Sequence, residues 1–423
     1  MLDIKFIREN PEIVKENMRK KFKDHKIVDD FLKMDGKYRK DLNDVQKLKA
    51  RRNELTREIA EKMKKKLDAK SLLKEAKESP EKIKEMDDEI ASLKIKMDQL
   101  ILTIPNIISD DVPIGRDSKE NVETAQFGTP KKYDFKPKNH VELVEDLGIV
   151  DFEGAARVTG KGFFYLKGDI VLLNQAIIRF ALDFMVKKGY TPIEPPLMLD
   201  RKHVMAVMPS ADFEQHAFKI DGKEQYMIAT SEHPLVAWFQ DQVIDKKQLP
   251  LKLTGFSQCF RQEIGSHGIE EKGLYRTHQF NKVEQVIICE PEDSVKFYKE
   301  IRNNSIELYK ALELPFRTLE SCSGDLGDLK FKGEDLEAWS PVKNEYYEIG
   351  SCSNLTDNQA RRANIKVFDG QKRYTPHTLN NTAIATSRCM VAIIENNQNK
   401  DGSITVPKVL VPYMNGVKVI KRK

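Results

Sequence analysis

A chain of 423 residues with 40% apolar and 32% charged side chains is long enough for two domains, one with a large core and one heavily solvated. Its net charge of +5 sits at one end: residues 1–100 hold 28 Lys/Arg against 22 Asp/Glu, and residues 101–423 hold 43 against 44. That asymmetry favours an anionic polymer as partner of the N-terminal part.

The five cysteines (Cys259, Cys289, Cys322, Cys352 and Cys389) show no CxxC spacing, which argues against a disulfide framework and a cysteine zinc site. The first residues, MLDIKFIRENPEIVKENMRK, mix acids and bases as no signal peptide does, and no apolar run reaches the roughly 18 residues needed to span a membrane. A cytoplasmic protein with reduced thiols is expected.

Apolar residues fall at 31, 34, 38, 42, 45, 48, 55, 59 and 63, and again at Ile83, Met86, Ile90, Leu93, Met97 and Leu100. The second set steps by three and four without a fault, which is a heptad seam. Two helices joined by a polar turn near Lys66–Lys70 would form an antiparallel coiled-coil arm over about residues 30–101, reaching roughly 50 Å. Ser79-Pro80-Glu81 reads as an N-cap and a first-turn proline, so the returning helix is expected to start there. Lys62, Lys64, Lys65, Lys66 and Lys70 crowd the tip, with Asp68 the one acid between them. Two uses fit such an arm: an oligomerisation rod, or a lever whose lysines meet phosphates. The segment IPNIISDDVPIG (104–115) ends the pattern, giving domains at 1–110 and 111–423.

Beyond that boundary, residues 168–189 read as an amphipathic helix stopped by Gly189, followed by the extended, proline-interrupted YTPIEPPLML. Strand character recurs at 225–229, 252–260, 274–289, 315–322, 344–352 and 366–368, with helices expected at 292–312, 356–363 and 383–396. This is an α+β body on a mainly antiparallel sheet. There is no GxxxxGK[ST] and no GxGxxG, so a nucleotide would have to be held by side chains. Trp238, Trp339 and Cys352 read as core. His233, His267 and His278 lack the HExxH spacing of a zinc enzyme.

The stretch CFRQEIGSHGIEEKGLYRTHQFNKVEQ (259–285) is the most informative. Arg261 and Glu263 are two apart, as are Phe280, Lys282 and Glu284, and period two puts each set on one face of its strand. With Arg276 beyond the loop, one hairpin gathers cations, carboxylates and a ring, which suits a ligand with several charges. YMIATSEHPL places Thr230 and Glu232 two apart, NEYYEIGSCSN ends a strand with Glu348 and Ser351, and NNTAIATSRCMVAIIEN carries Arg388 early in an apolar helix. Taken singly, each has a plainer reading, such as a buried arginine paired to a structural acid.

In this order, the fragments closely resemble the class II aminoacyl-tRNA synthetases, and among them the seryl-tRNA synthetases. GYTPIEPP is similar to the first class motif, a dimer-interface helix and strand; FRQE, loop and YRTHQFNKVE to the second; NNTAIATSR to the third. TSEHPL, DLEAW, EIGSCSN and the QARR at 359–362 resemble seryl-specific segments, and the arm resembles that family's tRNA-binding arm. The resemblance implies adenylation of L-serine by ATP with Mg²⁺, then transfer to the 3′ end of tRNA(Ser), by a homodimer. It leaves open whether tRNA(Sec) is also charged. A catalytically inactive, synthetase-like RNA-binding protein is the alternative.

By the same resemblance, Arg261 and Arg388 are catalytic. Arg261, Gln262, Glu263, Arg276, Thr277, Phe280, Glu348, Ile349, Gly350, Ser351 and Arg388 bind ATP, with Phe280 under the adenine and Arg388 above it. Glu348 and Ser351 hold Mg²⁺. Thr230, Ser231, Glu232, Arg261, Glu284 and Thr382 bind serine, while Lys62, Lys64, Lys65, Lys66 and Lys70 meet tRNA.

Overall fold

A computed structural model of the chain describes residues 1–209, 213, 216–263 and 273–422; His267 lies outside the described residues. The chain forms two compact units, Leu2–Pro105 and Asn106–Lys423.

In the first unit, α1 (Ile4–Glu9) and α2 (Pro11–Lys20) precede two long helices, α3 (Lys26–Lys64) and α4 (Lys70–Ile101). The expected seam is present: Val45, Ile83 and Ile90 are buried, with Tyr38, Leu42, Leu48 and Met86 packed against them. At the foot, buried Asp35 accepts from Arg8 Nε at 2.7 Å and from Arg39 Nε at 3.0 Å. The seam fades outward, and Met63, in the last turn of α3 before the connection to α4, is 63% exposed. The returning helix does not start at Ser79-Pro80. It begins at Lys70 and runs through Pro80, while Ser79 Oγ donates to the Glu75 carbonyl at 2.7 Å. Proline removes one helix donor, yet the flanking turns, rich in good helix formers, keep the helix continuous.

The second unit is built on one eight-stranded sheet. Its strands are β1 (Val122–Phe127), β2 (Thr191–Ile193), β3 (Leu251–Phe260), β4 (Gln279–Cys289), β5 (Phe316–Glu320), β6 (Lys332–Ser340), β7 (Glu345–Thr356) and β8 (His377–Ala385), in the order β1-β5-β6-β7-β8-β4-β3-β2. All pairs are antiparallel except β2 with β3. The α+β architecture with a mainly antiparallel sheet follows the sequence reading. Two details differ. Residues 383–385 belong to β8, and the helix begins only at Thr386. Trp238 is not core: it is 62% exposed, whereas Cys352 is buried in the main core cluster.

Strand β4 shows how the core places the site. Val283, Ile287 and Cys289 join the main cluster, which also takes in residues of α5 (Asp169–Lys187). Val286 and Ile288 join a second cluster, with Val207 of α6 (Arg201–Val207) and Leu235 and Val236 of α7 (Glu232–Ala237). The main cluster is completed by Ile301 and Tyr309 of α8 (Ser294–Ala311), and the second by Ala360 of α9 (Asn358–Arg362). Alternation therefore covers both faces of the strand. The even-numbered face is apolar at 286 and 288 and polar at 284 and 282, with the ring of Phe280 beyond them.

Candidate active site

On that polar stretch, Phe280, Lys282 and Glu284 stand opposite Cys259, Ser257 and Gly255 of β3. On the other side, Glu284 pairs with Thr382 of β8, where the register slips between Thr382 and Ile384. A second slip in β6–β7, between Leu336 and Glu337, lies beside Glu348 and Gly350. Such bulges re-aim side chains beside sites. The helix α10 (Thr386–Asn396) leaves the end of β8 and brings in Arg388.

Two adjoining cavities result. One, of about 340 Å³, is lined by Thr230, Glu232, Lys330, Asn380 and others; the second, of about 190 Å³, by Glu263, Thr277, Phe280, Glu348 and Arg388 among others. Arg261, Lys282, Ser351 and Thr382 line both. A ligand in each would meet at those four residues.

In the larger cavity, acids are held by short-range partners. Glu284, almost fully buried, is bonded to Lys282 and accepts from Thr230 Oγ1 at 3.1 Å; Lys282 Nζ donates to the same hydroxyl at 3.2 Å. Glu232 accepts from Gln359 Nε2 at 2.8 Å. Burial and the nearby Glu284 raise the pKa of Glu232 to about 7, while the Gln359 bond and the lysines Lys282 and Lys330 pull it back. Burial, with Arg261 and Lys282, drives His233 down to about 3, so the ring is neutral.

The smaller cavity is held by arginines. Arg388 lies 3.1 Å from Glu348 Oε1 and 5.0 Å from the centroid of Tyr275. Burial pushes the Glu348 carboxyl up, but Arg388, Arg261 and Lys330 together hold it below its ordinary value. Arg261 Nε donates to the Ala229 carbonyl at 3.2 Å, and the guanidinium stands 5.5 Å from the Phe280 centroid. Lys330 Nζ donates to Ser351 Oγ at 3.0 Å.

Of the residues expected from sequence, Thr230, Glu232, Arg261, Ser351 and Thr382 line the larger cavity, and Arg261, Glu263, Thr277, Phe280, Glu348, Ile349, Gly350, Ser351, Thr382 and Arg388 line the smaller. Four do neither. Ser231 Oγ donates to the Gly255 carbonyl at 3.1 Å, and Gln262 Nε2 to the Ala217 carbonyl at 2.9 Å. Glu284 stands behind Thr230 and Lys282. Arg276 is half-exposed, 3.8 Å from Glu263. Lys330 and the wall residue Tyr275 are not among the expected residues, and Gln359 is expected only as part of the QARR segment, without a role. Lys282 is expected on the Phe280–Glu284 face, also without a role. Among the described residues, no group of three or more His, Cys, Asp or Glu is placed to hold a metal by itself.

A family model described as "Seryl-tRNA synthetase N-terminal domain" matches residues 1–108, and one described as "tRNA synthetase class II core domain (G, H, P, S and T)" matches residues 216–397. Curated relatives named serine–tRNA ligase include that of Methanocella arvoryzae, 48% identical over 99% of this chain and 100% of its own length, and that of Pyrococcus horikoshii, 41% identical over 98% and 96%. Among solved structures, the seryl-tRNA synthetase of Pyrococcus horikoshii complexed with ATP superposes with a TM-score of 0.94 at 41% identity, covering 100% of both chains. The cytoplasmic serine–tRNA ligase of Naegleria fowleri in complex with AMP gives a TM-score of 0.90 at 32% identity, covering 100% of this chain and 99% of its own.

Proposed function

This chain belongs to the seryl-tRNA synthetase family and is a serine–tRNA ligase, and we propose that serine occupies the larger cavity and ATP the smaller. The observation that carries this division is the shared rim of Arg261, Lys282, Ser351 and Thr382, where the serine carboxylate would face the α-phosphate. A carboxylate is already a nucleophile at neutral pH, so the chain's task is positioning and charge stabilisation.

Arg261, tied to the Ala229 carbonyl, donates toward the charge that develops on the α-phosphate. A single such donor contributes about 3–4 kcal/mol in other enzymes. Phe280 stacks on the adenine, with Arg388 swinging from Tyr275 to its other face, a sandwich that needs one ring and one planar cation. Glu263 accepts from the adenine amino group, and Arg276 takes the outer phosphates. Glu232 and Thr230 take the serine ammonium and Thr382 its hydroxyl, with Glu284 acting from behind through Thr230 and Lys282.

Mg²⁺ fits as a companion of ATP. Glu348 and Ser351 offer hard oxygens on one wall, and two protein donors suffice where phosphates supply the remainder. Bound there, the ion would neutralise phosphate charge; Lys330, which holds Ser351 now, would share the phosphates with it, while Arg388 would leave Glu348 for the adenine. We also assign the working molecule as a cytoplasmic homodimer, with the helix and strand at 169–187 and 191–193 as its interface; light scattering that returns a monomer would remove that assignment.

The arm is read as the tRNA contact. Lys64, Lys65, Lys66 and Lys70 are exposed around its turn, and Lys62 is half-exposed. Serine-dependent pyrophosphate–ATP exchange without tRNA tests the cavities, with threonine and alanine alongside. Exchange with serine, weak exchange with threonine and none with alanine is expected, because a lost hydroxyl strands buried polar partners whereas an added methyl is opposed by shape alone. Deleting residues 45–90 should spare exchange and abolish tRNA charging. Replacing the five tip lysines by alanine should flatten the salt dependence of tRNA binding, by up to about 0.7 in log–log slope per lost phosphate contact. Charging that survives the deletion would return the arm to the rod reading.

A further inference from the structure

The short helix α9 carries a side chain that touches no cavity yet reaches the serine pocket. Gln359 is 1% exposed. Its Nε2 donates to Glu232 Oε1 at 2.8 Å and to the Val207 carbonyl at 3.3 Å, and its Oε1 accepts from Thr378 Oγ1 at 2.9 Å. The amide is thereby oriented from three sides: the Val207 carbonyl can only accept, which fixes the NH₂ end toward it and Glu232, while the Thr378 hydroxyl on β8 anchors the oxygen end. The same helix carries Arg362, whose NH2 nitrogen donates to the Met205 and Met208 carbonyls at 2.7 and 2.8 Å. Thus α9 is clamped to the end of α6, and the Gln359 amide has no room to turn away.

We propose that Gln359 is a positioning residue for recognition of the serine amino group: its buried amide aims the Glu232 carboxylate into the larger cavity and preserves it as a charged acceptor. The inference rests on the reading that Glu232 meets the serine ammonium. A carboxylate beside Glu284 in an enclosed site tends to take up a proton, and a neutral-form Glu232 would be a poorer partner for an ammonium. The other ionisable groups around the pocket are Lys282, Lys330, Arg261, Asp328, His216 and His233, with Glu284 behind. None of them donates a hydrogen bond to Glu232 among the contacts described, so the Gln359 bond is the directional restraint. A hydrogen bond to a charged group is worth more than a neutral one, and here it favours the form that binds.

The experiment uses the full chain in serine-dependent pyrophosphate–ATP exchange from pH 6 to 8.5. Gln359→Met keeps the shape and removes the donor; Thr378→Val leaves the donor and removes its anchor, and carries the test if the first variant does not fold. Gln359→Met should raise the serine KM about tenfold at pH 7 with the ATP KM unchanged, and move the acid limb of kcat/KM for serine about one pH unit to the alkaline side. Thr378→Val should do the same more weakly. An unmoved serine KM and pH profile in both variants, or equal rises in the two KM values, would reduce Gln359 to structural support. Glu232→Ala separates the two levels. If it leaves the serine KM unchanged, the ammonium reading falls and this inference with it; if it raises that KM while the Gln359 and Thr378 variants do not, only the present inference falls.

Discussion

The two cavities carry the same balance of charged lining residues and use it differently. Arg261, Lys282 and Lys330 face Glu232 and Asp328 in one; Arg261, Lys282 and Arg388 face Glu263 and Glu348 in the other. In the smaller, both acids stand near arginines, Arg276 and Arg388, whose charge does not change at any physiological pH. In the larger, Glu232 is held by an amide, and burial beside Glu284 raises its pKa to about 7. A polyanion needs fixed cations at several points, whereas a small zwitterion needs one acceptor and one donor in register. Equal net charge therefore says little about which ligand a cavity takes; partner chemistry decides it.

Removing the shared residue should have the largest effect. Arg261→Ala should cut serine-dependent exchange by about 10²–10³-fold without loss of the folded state by circular dichroism; near-normal exchange would take Arg261 out of both cavities' chemistry. Acidification should divide the cavities. With Glu232 titrating at about 7, its charged form is present above that pH and lost below it, so the serine KM should rise about tenfold between pH 8 and pH 6. The ATP KM should stay nearly flat, and parallel rises would erase the contrast. Phe280→Ala should act on one side alone, raising the ATP KM by about tenfold, as expected for losing ~1.4 kcal/mol of stacking. A serine KM that follows it would mean the ring supports the shared rim instead.

The contrast also explains what sequence could reveal. The seam of α3 and α4 is local: periods of three and four, read over a few turns, suffice. The period-two face of Phe280, Lys282 and Glu284 was equally plain, because one strand carries it. Thr386 as the helix start was missed because the apolar run from Ala383 is shared by strand and helix, and periodicity alone cannot divide it. The residues next to Glu284 and Ser231 in sequence place both in the site, yet neither lines a cavity: Glu284 stands behind Thr230 and Lys282, and Ser231, at the start of α7, donates to the Gly255 carbonyl. Lys330 carries no local signal, and the QARR segment points to Gln359 without giving its role. Their roles arise from strands and helices distant in the chain, and a lone lysine or glutamine has no spacing to betray it.

The outward fading of the arm's seam bears on how its end behaves in time. Near Val45 and Ile90 the helices share a buried cluster, whereas Met63, Leu67 and Leu73 stand exposed around the turn. There, apart from the fully buried Leu55, ion pairs such as Arg51 with Glu75 at 3.0 Å are the visible cross-links, and exposed pairs of this kind contribute roughly 0–1 kcal/mol each. Local opening should therefore need least free energy beyond Pro80, where the helix also lacks one amide donor. Amide hydrogens between about residues 57 and 77 should exchange orders of magnitude faster than those beside Val45 and Ile90. Bound RNA should slow them most, so the end of the lever would acquire its order from the molecule it grips.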